Sequence, residues 1–145
     1  MANTKKGSFE VCIDVANQFY TVAHWCEEKS GSEFLMETLY PFATNISFAC
    51  ELYIKAIMIY RSPDDEFSTG HNIEELFYNL ETADQTDIEG EFTKRYTAKT
   101  LHEFLNENGN AFVDWRYAHE AAVSINISGY NAFVDALREF VRKLV

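Results

Sequence analysis

The sequence predicts an all-α fold, an antiparallel bundle of about five main helices, and two observations carry this prediction. Apolar residues recur at steps of three and four over long stretches, which is the period of a helix with one buried face. Short polar intervals separate these stretches, so consecutive helices are expected to run antiparallel. The chain has 145 residues, of which 47% are hydrophobic and 15% aromatic. A single domain over residues 1–145 can therefore bury a core without a metal or a disulfide.

The first two main helices are expected over residues 8–29 and 44–61. The first carries one apolar stripe, and Gly31 lies just past its end, where a helix favours a left-handed residue. The second is apolar almost all round, which is typical of a helix at the centre of a bundle or in a subunit contact. Between them, the apolar segment 33–40 forms at most a short turn of helix, because Pro41 stops it.

Capping residues and glycine predict where the later helices begin and end. Asn72 stands three residues before an acid, as in a capping box, and opens a short third helix. A fourth helix over residues 88–108 ends at Gly109. Ser128 is the expected cap of the last helix. Residues 123–127 alternate like a strand, but a lone five-residue strand has nothing to pair with unless another chain provides it.

Composition limits the classes of function. The net charge of −11 weighs against a large nucleic-acid surface, because phosphate binding depends on clustered Lys and Arg, so no DNA-binding surface is evident. A small local basic site is still compatible with this charge. Cys12, Cys26 and Cys50 lack metal-site spacing and lie in apolar stretches, so we interpret them as buried hydrophobes and expect no metal and no cofactor. Without a secretory signal or a spanning apolar run, we expect a cytoplasmic protein with no membrane contact.

Three segments carry a resemblance to a known family. Residues 49–57 place a Glu four positions before a Lys-Ala pair on an apolar helix, residues 70–77 begin with Gly-His-Asn-Ile, and residues 112–117 read Phe-Val-Asp-Trp-Arg-Tyr. Their order and spacing resemble the HEPN family of helical bundles over about residues 44–120. The resemblance implies a four- or five-helix bundle that usually dimerises. Members include RNases of toxin–antitoxin and phage-defence systems and inactive relatives that bind nucleotides or RNA.

The nuclease branch of that family carries an Arg followed after four to six residues by a His. Arg95 and His102 meet this spacing, and on one helix they would share a face. The arginine would stabilise phosphate charge, and the histidine would move the proton in metal-independent RNA cleavage. Arg116 and His119 are only three residues apart, which departs from the pattern, and they would serve as a fallback pair.

The candidate binding residues are polar positions within or near the three resembling segments: Glu51, Lys55, His71, Arg116, Tyr117 and His119. Glu51 and Lys55 form either a simple salt bridge between positions i and i+4 or a polar pair beside a groove. His71 either fixes the entry of the third helix or contacts a phosphate near the helix start. Convergence of Lys55, His71 and Arg116 on one pocket would create a local anion site.

From these features we expect a HEPN-like binding or regulatory protein with a nucleotide or RNA phosphate in a groove. It would act as a homodimer or with a protein partner such as an antitoxin. The apolar second helix and the strand-like residues 123–127 would supply the self-contact. The alternatives are a metal-independent RNase of the toxin or phage-defence type and a purely structural helical adaptor, in which every polar position is a salt bridge or a cap.

Overall fold

The structure is a computed structural model that describes residues 3–28, 31–109 and 125–145, with the backbone alone for residues 31–37. This part of the chain forms six helices and one two-stranded antiparallel sheet, which confirms the predicted all-α helical bundle. The elements in chain order are β1 (Thr4–Lys6), α1 (Phe9–Glu28), α2 (Gly31–Arg61), β2 (Glu66–Ser68), α3 (Ile73–Tyr78), α4 (Thr82–Arg95), α5 (Leu101–Asn108) and α6 (Ile127–Leu144).

The second helix, α2, lies at the centre of the bundle. It packs along α1 and against α6, and it also contacts α3 and β2. Tyr53, Ile54 and Ile57 are at most 1% exposed, as expected for a helix that is apolar almost all round. Neighbouring elements cover most of the apolar surface of α2 over its described side chains, and the self-contact expected of this helix stays a prediction.

The segment Thr38–Arg61 of α2 is long and apolar enough to cross a membrane, by length and composition alone. However, 72% of its apolar window is buried inside the bundle. A central core helix meets the same criterion, since its apolar surface is satisfied by packing against neighbouring helices. The fold therefore accounts for the hydropathy of this segment.

Pro41 does not stop the helix, contrary to expectation. The helix runs continuously from Gly31, so that glycine begins a helix rather than following one. A proline in a helix interior removes one backbone hydrogen bond. Here Phe42 and Ala43, directly after it, are fully buried, and the Asn45 side chain donates to the Pro41 carbonyl at 2.6 Å. Tertiary packing therefore outweighs the local preference of proline, as it commonly outweighs helix propensity.

The expected fourth helix is in fact two helices. The helix α4 begins at Thr82 rather than Ile88 and ends at Arg95. Thr100 then caps α5: its hydroxyl accepts from the Glu103 backbone N–H, and the Glu103 carboxylate accepts from the Thr100 N–H, both at 3.1 Å. This is a complete capping box, which starts a new helix instead of continuing the old one.

Two predicted helix boundaries are confirmed and lie against each other. The Asn72 side chain accepts from the Glu75 N–H at 3.0 Å and so caps α3, and α5 ends at Gly109. The Ile73 N–H donates to the Gly109 carbonyl at 3.0 Å. A Cβ at Gly109 would stand 2.9 Å from the Asn72 side-chain oxygen, so the close approach of the two helix ends requires glycine.

The last helix, α6, begins earlier than expected and completes the core. Asn126 is its cap, because its side chain accepts from the Gly129 N–H at 2.9 Å, so the predicted cap Ser128 is wrong. The strand-like alternation of residues 123–127 does not give a strand at Ile127, which starts this helix, while residues 123–124 lie outside the described residues. The helix packs against α2 and α4 and buries large side chains such as Phe133.

Candidate functional site

Three polar side chains singled out from the sequence meet around one buried carboxylate, and we call them the Glu51 cluster. Lys55 Nζ lies 2.9 Å from Glu51 Oε2. His71 Nδ1 lies 3.2 and 3.1 Å from the two oxygens of the same carboxylate. Glu51 is 1% and Lys55 6% exposed, whereas the His71 side chain is 57% exposed. The salt bridge is therefore interior and reaches the surface through the histidine.

The surrounding elements explain why these groups are buried. Glu51 and Lys55 are four residues apart on α2 and so meet on one face. The Phe67 ring of β2 lies 5.6 Å from Lys55 Nζ, and β2 is held by its pairing with β1. Burying either charge alone would be costly, so each needs the other. The geometry favours the salt-bridge interpretation for the pair and a role for His71 in fixing the entry of α3.

Lys55 and His71 both contact the Glu51 carboxylate, whereas their predicted convergence with Arg116 on one pocket stays a prediction. Arg116, Tyr117 and His119 lie outside the described residues. In the part of the chain that the structure describes, Lys55 and His71 therefore both contact an acid. The Glu51 cluster does not form an open anion pocket there.

The cysteines are not arranged for chemistry. Cys50 is buried as expected, whereas Cys12 and Cys26 are half-buried, and all three are free thiols. The Cys12 thiol donates to the Leu52 carbonyl at 3.1 Å, and burial raises its pKa to about 11. A thiol with so high a pKa is a poor nucleophile at neutral pH. Within the described ranges, no group of three His, Cys, Asp or Glu side chains is placed to hold a metal.

Arg95 and His102, the predicted nuclease pair, lie on different helices. Arg95 ends α4 and donates to the Glu91 carboxylate at 2.8 Å. His102 lies on α5, and its Nδ1 is 2.9 Å from the Tyr78 hydroxyl. The expectation that both share one helix face is wrong, because the capping box at Thr100 interrupts the helix between them.

Arg95 instead lies beside two arginines of α6, at what we call the arginine pocket. Its volume is about 190 Å³, and it lies between α1, the end of α4 and α6. Arg138 and Arg142 are four residues apart and so share one face of α6. The lining residues are Tyr20, Arg95, Asp135, Arg138, Glu139 and Arg142.

Arg138 is the residue in this pocket whose charge is left uncommitted. Its guanidinium carbon lies 3.6 Å from the centre of the Tyr20 ring, a cation–π contact. The Tyr20 hydroxyl donates to Asp135 at 3.1 Å, which fixes the ring, and burial together with the Asp135 charge raises the pKa of Tyr20. Within the described part of the chain, Arg138 has no carboxylate partner. Its N–H donors are therefore available to a ligand.

A second and larger cavity lies on the other side of the same two arginines. Its volume is about 430 Å³, and it shares Arg138 and Arg142 with the arginine pocket. The rest of its lining mixes apolar and aromatic side chains with the polar Asn17 and two acids: Phe9, Glu10, Ile13, Asp14, Asn17, Tyr53, Val141 and Val145. Arg138 and Arg142 thus lie between the small, polar arginine pocket and the larger, more apolar cavity.

Three basic side chains at this end of the bundle contact one acid, Glu91, while Arg142 lies 3.8 Å from Glu139. Lys94, Arg95 and Lys143 lie 3.1, 2.8 and 3.2 Å from the Glu91 carboxylate, whose side chain is 12% exposed. Their hydrogen bonds, led by that of Arg95, lower the pKa of Glu91 to about 2. Five of the chain's 12 Lys and Arg residues lie on α4 and α6 near this acid or the pocket: Lys94, Arg95, Arg138, Arg142 and Lys143.

The sequence interpretation included Arg95 but missed Arg138, Arg142 and Tyr20. Two arginines four residues apart near the end of an amphipathic helix are a usable signal in a chain of charge −11. Tyr20 had no such signal, because it comes from α1, far away in the sequence. Comparison with protein-family models, curated proteins and solved structures finds no match to this chain. The resemblance to HEPN domains thus stays a prediction.

Proposed function

We propose that this chain is a HEPN-like helical binding protein whose arginine pocket takes the phosphate group of a nucleotide or an RNA end. The observation that carries the proposal is Arg138, stacked on Tyr20 without a carboxylate partner among the described residues. The planar guanidinium fork matches phosphate oxygens, and an aromatic face beneath it keeps the fork oriented. Arg142 and Arg95 line the same small volume, where Arg142 lies 3.8 Å from Glu139 and Arg95 lies 2.8 Å from Glu91, so Arg138 is the arginine that contributes the unpaired charge.

The neighbouring cavity favours a nucleotide or a chain end over free phosphate. Its volume of about 430 Å³ is in the range of small-molecule sites. Phe9 and Tyr53 line it and offer aromatic surface to a base, while Arg138 and Arg142 stand at the boundary with the arginine pocket. A strongly acidic chain with one local basic patch suits a short anionic ligand better than a long nucleic acid.

Binding is better supported than cleavage. No histidine is among the residues that line either cavity in the described part of the chain, so the proton-transfer partner of a nuclease is missing there. His102 is engaged with Tyr78 on another helix. The RNase alternative would require a catalytic pair other than the one matched by spacing, or a rearrangement of α4 and α5.

The proposal is tested by fluorescence anisotropy with a labelled nucleoside triphosphate and a labelled 5′-phosphorylated oligoribonucleotide. Arg138→Gln keeps much of the side-chain length and removes the charge. Charged hydrogen bonds contribute about 1.5–3 kcal/mol, so we expect binding to weaken roughly tenfold to a hundredfold. The matched control is Lys99→Gln, which removes one exposed charge that is paired with Glu107 outside the pocket. Equal losses in both variants, or no binding of either probe, would contradict the proposal.

The same samples decide between the alternatives. Metal-free cleavage of a mixed RNA pool by the wild type, lost in an Arg95→Ala/His102→Ala variant, would establish the RNase. A folded protein that neither cleaves RNA nor binds either probe would favour the structural adaptor.

A further inference from the structure

The outward face of α1 carries an apolar stripe that its own chain leaves largely open. Its members are spaced by four, seven and three residues, which places them on one side of the helix. Val11 and Trp25 are each 60% exposed and Val22 is 36% exposed, while Val15 is half-buried. We call these four residues, Val11, Val15, Val22 and Trp25, the α1 stripe.

The stripe is distinct from the face that α1 uses within the bundle. Ala16 and Ala23 are fully buried, and their small side chains let α1 lie close along α2. Val22 and Trp25 instead line a mostly apolar cavity of about 460 Å³ at the surface. Exposed apolar patches beside such a cavity mark interaction sites, and tryptophan is the residue most enriched among strong interface anchors.

The charges around the stripe indicate what kind of partner fits. The helix α1 contains no Lys or Arg in its 20 residues. Glu10, Asp14 and Glu28 are exposed along one border of the stripe. A second copy of this acidic chain would bring like charges together, whereas a basic partner would find complementary ones.

We propose that the α1 stripe docks a basic amphipathic helix of another protein. The apolar anchors of that helix would repeat at three- and four-residue steps and pack on Val22 and Trp25. Its Lys and Arg residues would flank those anchors and face Asp14 and Glu28. The four residues of the stripe and Glu28 line neither the arginine pocket nor the cavity beside it, whereas Glu10 and Asp14 also line that cavity. The proposal does not depend on the ligand of the arginine pocket.

The probe is a labelled designed helix of about three heptads with Leu at the core positions and Lys at the flanking ones. A matched peptide carries Glu in place of every Lys. By anisotropy we expect the lysine peptide to bind the wild-type chain and the glutamate peptide not to bind. Trp25→Ala is expected to weaken binding of the lysine peptide by roughly thirtyfold, because an interface anchor is lost.

A charge reversal separates specific docking from nonspecific attraction. Asp14→Lys/Glu28→Lys is expected to switch the preference to the glutamate peptide. The control Asp87→Lys/Glu89→Lys makes the same charge change at exposed positions of α4 and is expected to keep the wild-type preference. Circular dichroism of each variant establishes that it is folded.

Four outcomes would overturn the proposal. The first is failure of the lysine peptide to bind the folded wild-type chain. The second is a similar loss in both charge-reversal variants, and the third is binding that Trp25→Ala leaves unchanged. The fourth is a wild-type dimer in sedimentation velocity that Trp25→Ala dissociates, because the stripe would then be occupied by a second copy.

Discussion

The Glu51 cluster and the arginine pocket use charge in opposite ways. In the cluster, Lys55 and His71 share one buried carboxylate, so the charges are compensated inside the protein. In the pocket, Arg138 is stacked on Tyr20 and has no acid partner among the described residues. The cluster is therefore expected to determine stability, and the pocket to determine binding.

Removal of the buried acid is expected to have the largest effect on stability. Glu51→Gln leaves Lys55 buried without a compensating charge, and we expect a loss of about 3–5 kcal/mol in the free energy of unfolding. Urea unfolding followed by circular dichroism measures it. Glu51→Leu/Lys55→Met, which replaces the pair by apolar side chains, is expected to recover most of the loss. A Glu51→Gln variant as stable as the wild type would show that the Glu51–Lys55 salt bridge does not stabilise the fold.

Glu91, which contacts Lys94, Arg95 and Lys143 beside the arginine pocket, is expected to have an intermediate effect on stability. This effect depends on pH. The pKa of Glu91 is lowered from 4.5 to about 2 by its hydrogen bonds. Its stabilising contribution is thus complete above about pH 4.5 and is lost as the pH falls towards 2. We expect the unfolding free energy of the wild type to fall more steeply across this interval than that of Glu91→Gln. Parallel curves for the two proteins would contradict the role of Glu91.

The smallest effect on stability is expected at the residue most important for binding. Arg138→Gln removes a partly exposed cation–π contact, so the free energy of unfolding should change by no more than about 1 kcal/mol. Thermal and urea unfolding of this variant, beside the anisotropy measurements, separate stability from binding. A large destabilisation would mean that Arg138 is a structural residue like Lys55. The proposed difference between the Glu51 cluster and the arginine pocket would then be wrong.

Elements specified by short-range signals were predictable from the sequence. The periodicity of α1 and the cap at Asn72 gave a helix and a helix start that the structure confirms. The elements that differ from the sequence prediction depend on packing or on a competing local signal. Burial of Phe42 keeps α2 continuous through Pro41, while the Thr100–Glu103 capping box divides the predicted fourth helix into two.

The candidate sites also include contacts that a local sequence pattern predicts and contacts that depend on packing between distant segments. Glu51 and Lys55 are four residues apart, so their contact could be predicted from helix geometry alone. Their link to His71 was suggested only by the order of motifs along the chain. The stacking of Arg138 on Tyr20 joins α6 to α1, and no local pattern connects residues so distant in sequence. The exposure of the α1 stripe likewise required knowing which side of α1 faces α2.

The position of α6 has a consequence for how this protein is made. This helix comes after every other described element in the chain, yet it covers α2, the most apolar helix of the bundle. A growing polypeptide must therefore carry α2 with one face uncovered until α6 has been synthesised. During that interval the nascent chain would be a substrate for chaperones that recognise apolar segments, and stalled or shortened products would be prone to aggregate.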